Sequence, residues 1–212
     1  MRLQQYINES KMESMATDID EIIEIVKREC KQYLKMMKGK LPLTRGVHVN
    51  IRSGGTAKLY RKDVRQDRAS LGGIPYNDEM NKWLVKNGHL DRRKSISVTS
   101  NVGNARDFGQ PFVIFPLGKF SYSFVDERDF NDLWFLLYKS PFRDSPEIYR
   151  NQLDSLYKEQ LGPHITTNKQ FDVAYIKHFE IWMNPKQYYM ISTFDDDVNI
   201  ILKELGLKPV RN

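Results

Sequence analysis

The sequence predicts an α+β domain in which an N-terminal helix is followed by a mixed or antiparallel β core with flanking helices. Three observations carry this. Ile19, Ile22, Ile23, Val26, Cys30, Tyr33, Leu34 and Met37 recur at helical spacing. From Ser95 onward the pattern turns to β: residues 95–99 alternate, and Pro111 to Leu117 is a near-continuous apolar run, as in an interior strand. Residues 179–183 and 188–191 are apolar and aromatic around Asn184-Pro185, the pattern of a β-hairpin.

Taken in order, residues 1–12 form a flexible arm and residues 13–212 one α+β domain. Thr17 and Asp18 offer N-cap oxygens to the first helix, Asp20 and Glu21 suit its first turn, and Gly39 and Pro42 stop it. Residues 45–51 read as a strand, and Gly54-Gly55 as a turn. A very basic stretch follows from Tyr60 to Arg68. A short helix runs from Asn77 as cap to Gly88 as stop, with Met80, Trp83 and Leu84 on its inner face. Residues 128–139 and 146–161 read as amphipathic helices, the second ended by Gly162-Pro163. Asp195 caps a last helix through Leu205, with Gly206 as its stop.

Composition bounds the function classes. The chain of 212 residues is 40% hydrophobic, enough for a sizeable core. Its one cysteine, Cys30, excludes an internal disulfide and favours a reducing compartment, hence the cytoplasm. Cys30 lies on the apolar stripe and reads as core rather than nucleophile. No run reaches the length of a membrane span, and the start MRLQQYINES lacks the apolar stretch of a secretory signal. The formal charge of +6 suits a nucleic acid, a phosphate-bearing small molecule or ordinary solubility, without choosing among them.

Familiar chemical motifs are missing. The sequence holds no Gly-x-Gly-x-x-Gly, no phosphate loop, no Gly-x-Ser-x-Gly elbow and no zinc spacing among His48, His89, His164, His178 and Cys30. No metal is expected. What remains is a dispersed pattern. Arg45 and Gly46 open a strand. Val98-Thr99-Ser100 closes another and is followed by Ala105, Phe108 and Gly109. Glu180 sits among Phe179, Ile181, Trp182 and Met183. An arginine before a strand is commonly a solvated end, and Thr-Ser after a strand is commonly a turn or cap. Glu180 shares a face with Trp182 on strict alternation. A charge there is costly to bury unless paired, and the alternative is a half-exposed sheet on which it faces water.

This order of elements resembles the ADP-ribosyltransferase superfamily in its arginine–serine–glutamate branch, which includes phage and toxin enzymes. The chain also looks like a set of uncharacterised phage proteins sharing Arg65-Gln66-Asp67-Arg68 and Ile114-Phe115-Pro116-Leu117-Gly118. The resemblance covers roughly residues 43–192 and implies a core of that fold. It implies NAD as substrate, with Glu180 stabilising an oxocarbenium-like ribose and binding a ribose hydroxyl. Thr99 and Ser100 would orient Glu180, and Arg45 with Gly46 would bind the pyrophosphate. Phe108 would wall the pocket, and Arg65 and Arg68 would add phosphate contacts or grip the target. The acceptor implied is a host protein or nucleic acid.

Two departures stand out. The family's first serine position is Val98, or Ser97 if the register slips by one. The position two before the glutamate is His178, which speaks against arginine as acceptor. His48 opens a further alternative, since another branch places a histidine in this strand, but alternation puts it opposite Arg45. A competing reading is a non-catalytic phage protein of the same fold that binds nucleic acid or a virion component through the basic run 58–68. A third is a hydrolase that destroys NAD without a target.

Overall fold

The computed structural model describes residues 12–48, 54–64, 77–126, 155 and 157–210. It is α+β with two antiparallel sheets. The chain divides into two compact units, one of Met1–Val64, Ser100–Phe120 and Pro185–Asn212, the other of Arg65–Thr99 and Ser121–Asn184.

The first unit is built on a five-stranded sheet. Its strands are β1 (Glu13–Ala16), β2 (Thr44–Val47), β3 (Leu59–Asp63), β5 (Gln110–Pro116) and β9 (Gln187–Ser192), in the order β1-β3-β9-β5-β2. The apolar run at 111–117 becomes β5, which is paired on both edges and buried from Pro111 to Pro116. On one face lie α1 (Ile19–Glu29) and α2 (Lys31–Met37). Asp18 caps α1, its Oδ1 accepting from Glu21 N at 3.0 Å. The apolar stripe is buried as expected, but the single helix is two. Cys30, at φ −109° and ψ 30°, interrupts it. Apolar spacing does not register one residue's dihedral angles.

The Cys30 thiol is fully buried beneath the Phe115 carbonyl, and burial pushes its pKa up to about 12. The Tyr33 ring meets Phe115 edge-on at 5.8 Å, while its hydroxyl accepts from Leu43 N at 2.9 Å. Buried aromatics thus tie the helices to the sheet while their polar tips stay hydrogen-bonded. A last helix, α6 (Val198–Glu204), buries Val198, Ile201 and Leu202.

The second unit holds a four-stranded sheet of β4 (Ile96–Val98), β6 (Tyr122–Val125), β7 (Ile165–Thr167) and β8 (Ile181–Met183), in the order β4-β8-β6-β7. Three helices belong to this unit or the first: α3 (Asn77–Lys86) and α5 (Phe171–Lys177) here, and α4 (Val102–Arg106) in the first unit. Helix α3 buries Met80, Trp83 and Leu84, the three side chains assigned to its inner face. The helix expected over 128–139, the arm 1–11, the strand residues 49–51, and all but Ser155 of 146–156 lie outside the described residues. Tyr157–Leu161 is a π-helical turn, and Gly162–His164 a 3-10 turn. Among the described residues no helix is long and apolar enough to cross a membrane.

Three expectations are corrected. The hairpin across Asn184-Pro185 does not form: β8 pairs with β4 and β6, whereas β9 pairs with β3 and β5. Asn184 spends its groups on the chain before β6, its N–H donating to Ser121 O and its Oδ1 accepting from Ser121 N. Both strands are buried almost throughout, and each already has both edges filled by other strands.

The basic stretch is in part a strand. Residues 59–63 form β3, with Lys62 buried at 6% exposure opposite Tyr188. Charge concealed the strand, because a lysine stem packs as an apolar group.

Asp195 does not cap the last helix. Its carboxylate turns to the loop before β3, accepting from the backbone N–H of Lys58 and Gly54. Burial raises its pKa above the ordinary carboxylate value, against the opposing pull of those two N–H groups. A raised carboxyl pKa means that the folded chain prefers the protonated form. Its stability contribution is therefore greatest at low pH and is lost as pH rises from the ordinary carboxylate range through the raised value. Relative to Asp195→Asn, whose amide does not titrate, the native chain is expected to gain melting temperature as the pH falls through that range. Thermal melts of both proteins from neutral to acid pH check this. A difference that stays constant with pH contradicts it.

Candidate functional site

In the second unit, the strand register settles which side chains share a face. Ile96 pairs with Met183, Ser97 with Trp182 and Val98 with Ile181. The pairing ends there, one residue short of Thr99 and of Glu180. Side chains alternate between faces, so Ser97, Thr99, Glu180 and Trp182 stand on one face, and Val98, Ile181 and Phe124 on the other. Val98 is buried among the apolar group. The hydroxyl that the family pattern places at 98 is absent there, but Ser97 supplies one on the Glu180 face.

Glu180 lies one residue before β8, not inside it, and is half-buried. Its Oε1 accepts from Trp182 Nε1 at 3.0 Å. The indole is fully buried, so this bond fixes the carboxylate against a rigid ring. The Arg92 guanidinium stacks over the same ring at 5.0 Å from its centroid. Farther along this face, Ser123 Oγ and Thr167 Oγ1 are 2.6 Å apart, and His89 Nδ1 is 2.9 Å from Thr167 Oγ1. Burial lowers the His89 pKa. Beside Glu180, then, the sheet face is a row of hydroxyls around one tryptophan.

The turn that delivers Glu180 is built from the end of α5. His178 takes the left-handed conformation, φ 60°. Its N–H reaches Tyr175 O, and Phe179 N reaches Ala174 O at 3.0 Å. This is a helix-ending motif that usually employs glycine at the left-handed residue. The His178 carbonyl accepts a long bond, 3.4 Å, from Thr99 Oγ1. Thr99 therefore holds the segment leading to Glu180. The side chain of His178 is exposed.

In the first unit, β2 carries Arg45 and Gly46, paired to Phe112 and Pro111 of β5. A Cβ at Gly46 would lie 2.1 Å from Ala105 O and 2.7 Å from the Phe108 carbonyl carbon. Only glycine lets α4 and its following turn come so close. Gly46 thereby brings the turn bearing Phe108 onto the strand bearing Arg45. Asn101 caps α4, its Oδ1 accepting from Gly103 N at 2.8 Å. Ser100, just before it, is buried. Phe108 is 54% exposed, which leaves its ring available to a ligand. Arg106 covers the Phe194 ring at 5.5 Å. His48 is exposed.

Thus Thr99 and Glu180 come together in one unit, and Arg45, Gly46 and Phe108 in the other, where Ser100 also belongs. Arg65 and Arg68 lie outside the described residues. Strand β3 withdraws Lys62 from the basic run on which the nucleic-acid reading rested. Sequence reasoning missed Arg92 and Asn101. An Asn followed by a short helix is a legible cap signal, whereas nothing local marks Arg92 as the residue above Trp182. Among the described residues no group of three or more His, Cys, Asp or Glu gathers as a metal site. No protein family matches the chain, and no curated protein or solved structure does so.

Proposed function

We propose that the protein is an NAD-dependent mono-ADP-ribosyltransferase, phage-encoded, acting on a host macromolecule in the host cytoplasm, with a core of the ADP-ribosyltransferase type. The observation that carries this reading is Glu180 itself. It is a carboxylate at the head of a fully buried strand, tied to Trp182 Nε1, and Thr99 bonds the His178 carbonyl two residues before it. The order of elements also supports it: Arg45-Gly46 in β2, Thr99-Ser100 after β4, the Phe108 turn after α4, β5, then Glu180 before β8.

In this reading the C–N bond between ribose and nicotinamide breaks with its electron pair leaving on nicotinamide. Positive charge develops on the ribose, and the Glu180 carboxylate stabilises it. An acceptor nucleophile then bonds to the ribose carbon and gives up its proton. Arg45 offers a fixed cation with several donors for the pyrophosphate, and Phe108 an aromatic surface for a ring. His178 at the position two before Glu180 speaks for an acceptor other than arginine.

The test is incubation of the full chain with host lysate and NAD labelled in its adenylate half. Transfer of label to a macromolecule together with release of nicotinamide is expected. Nicotinamide release without transfer would favour an NAD hydrolase. The absence of both label transfer and nicotinamide release would overturn the enzymatic reading.

A further inference from the structure

The charge of this chain is unevenly distributed. Residues 27–40 hold six bases, Lys27, Arg28, Lys31, Lys35, Lys38 and Lys40, against one acid, Glu29. That segment has a net charge of five, out of a formal +6 for all 212 residues. Lys27 lies in the last turn of α1, Lys31 and Lys35 one turn apart on α2, and Lys38 just past its end, and all four are exposed. The one acid is engaged, since Glu29 accepts from Arg28 at 2.7 Å and from the Tyr189 hydroxyl at 2.6 Å. Of the other acids of α1, Asp20 and Glu21 lie in its first turn, and Glu24 stands mid-helix, one turn before Lys27 and Arg28. Among the described residues Lys27, Lys31, Lys35 and Lys38 form no ion pair.

Tertiary structure enlarges the patch. Gly118 N donates to Glu29 O at 3.0 Å, which brings exposed Lys119 beside the junction of the two helices. Lys208 N donates to Lys40 O at 2.8 Å, which adds exposed Lys208 at the far end. Segments remote in sequence thus extend one basic surface within the first unit.

We propose that this α1–α2 face binds the sugar–phosphate backbone of nucleic acid without reading its sequence. Exposed cations about 6 Å apart along a helix suit a polymer of regularly spaced phosphates. An anionic membrane fits less well. A helix lying in a lipid surface must insert an apolar face, and here Ile22, Ile23, Val26, Cys30, Tyr33 and Met37 are spent in the core. The surface does not depend on the NAD reading, and it differs from the basic run at 58–68.

The test is fluorescence anisotropy of a labelled random-sequence duplex of about 20 base pairs with the full chain, without NAD, over a range of salt. Binding is expected at roughly 50 mM salt, with log K falling linearly in log salt at a slope of about −3 to −4 for four lysine contacts. K31E/K35E/K38E is expected to weaken binding about a hundredfold and to bring the slope toward zero by about three, while K169E, at an exposed site in the second unit, binds as the parent. Circular dichroism checks that the triple variant is folded. If it is not, K31Q/K35Q serves, with about a tenfold loss expected. No binding at low salt, binding unchanged in the folded variants, or retention on phosphatidylserine vesicles without duplex binding would each overturn the proposal.

Discussion

Glu180→Gln is expected to lower nicotinamide release from NAD by about two to three orders of magnitude, the usual loss when one preorganised electrostatic group is removed from a transition state, with the melting temperature unchanged. The amide keeps an oxygen where Oε1 accepts from Trp182 Nε1 while removing the charge. Glu180→Ala is expected to lose the same turnover and some stability as well, because the fully buried indole loses that acceptor, at a cost of about 1 kcal/mol. The pair separates chemistry from folding. A Gln variant with full turnover would show that the carboxylate has no role. A Gln variant as destabilised as the Ala variant would show that the charge, and not the hydrogen bond, holds the turn. Nicotinamide release and thermal melts of the three proteins read both quantities.

Gly46→Ala is the second large effect, and it falls on stability. The added carbon would stand 2.1 Å from Ala105 O and 2.7 Å from the Phe108 carbonyl carbon. Both obstacles are backbone, so no side chain can rotate away. Either β2 must leave β5, where Gly46 is paired with Pro111, or α4 must move off the sheet. Overpacking of this kind costs about 3 kcal/mol, which for a chain of this size lowers the melting temperature by roughly 6–12 °C. Because α4 leads into the turn bearing Phe108, NAD affinity is expected to fall in the same variant. A melting temperature within a degree or two of the parent would show that the close approach is not as described.

Much of the architecture is legible in short-range pattern. The stripe from Ile19 to Met37 and the inner face of α3 are readable because each repeats a helical period, and the run from Pro111 to Pro116 because it is apolar without interruption. The short strands β1, β6 and β7, of three or four residues each, escape notice because so few residues establish no period. Strand β3 escapes because its charges look like a loop until burial of Lys62 shows their stems packed. Asp195 was misassigned for a related reason. An acid before a helix reads as a cap, yet the loop at Gly54–Lys58 competes for the same oxygens and wins.

For the candidate site, the sequence by itself determined parity. Glu180 and Trp182 had to share a face, as did Ser97 and Thr99, and Val98 had to face away from them, because alternation is a property of any extended chain. Only the tertiary structure decided partnership. It set Thr99 against the His178 carbonyl, gave β8 and β9 to different sheets, laid α4 on Gly46, and drew Lys119 and Lys208 to the basic helices. The physical reason is that parity arises from consecutive dihedral angles, whereas pairing depends on which remote segments bury one another's open faces and edges.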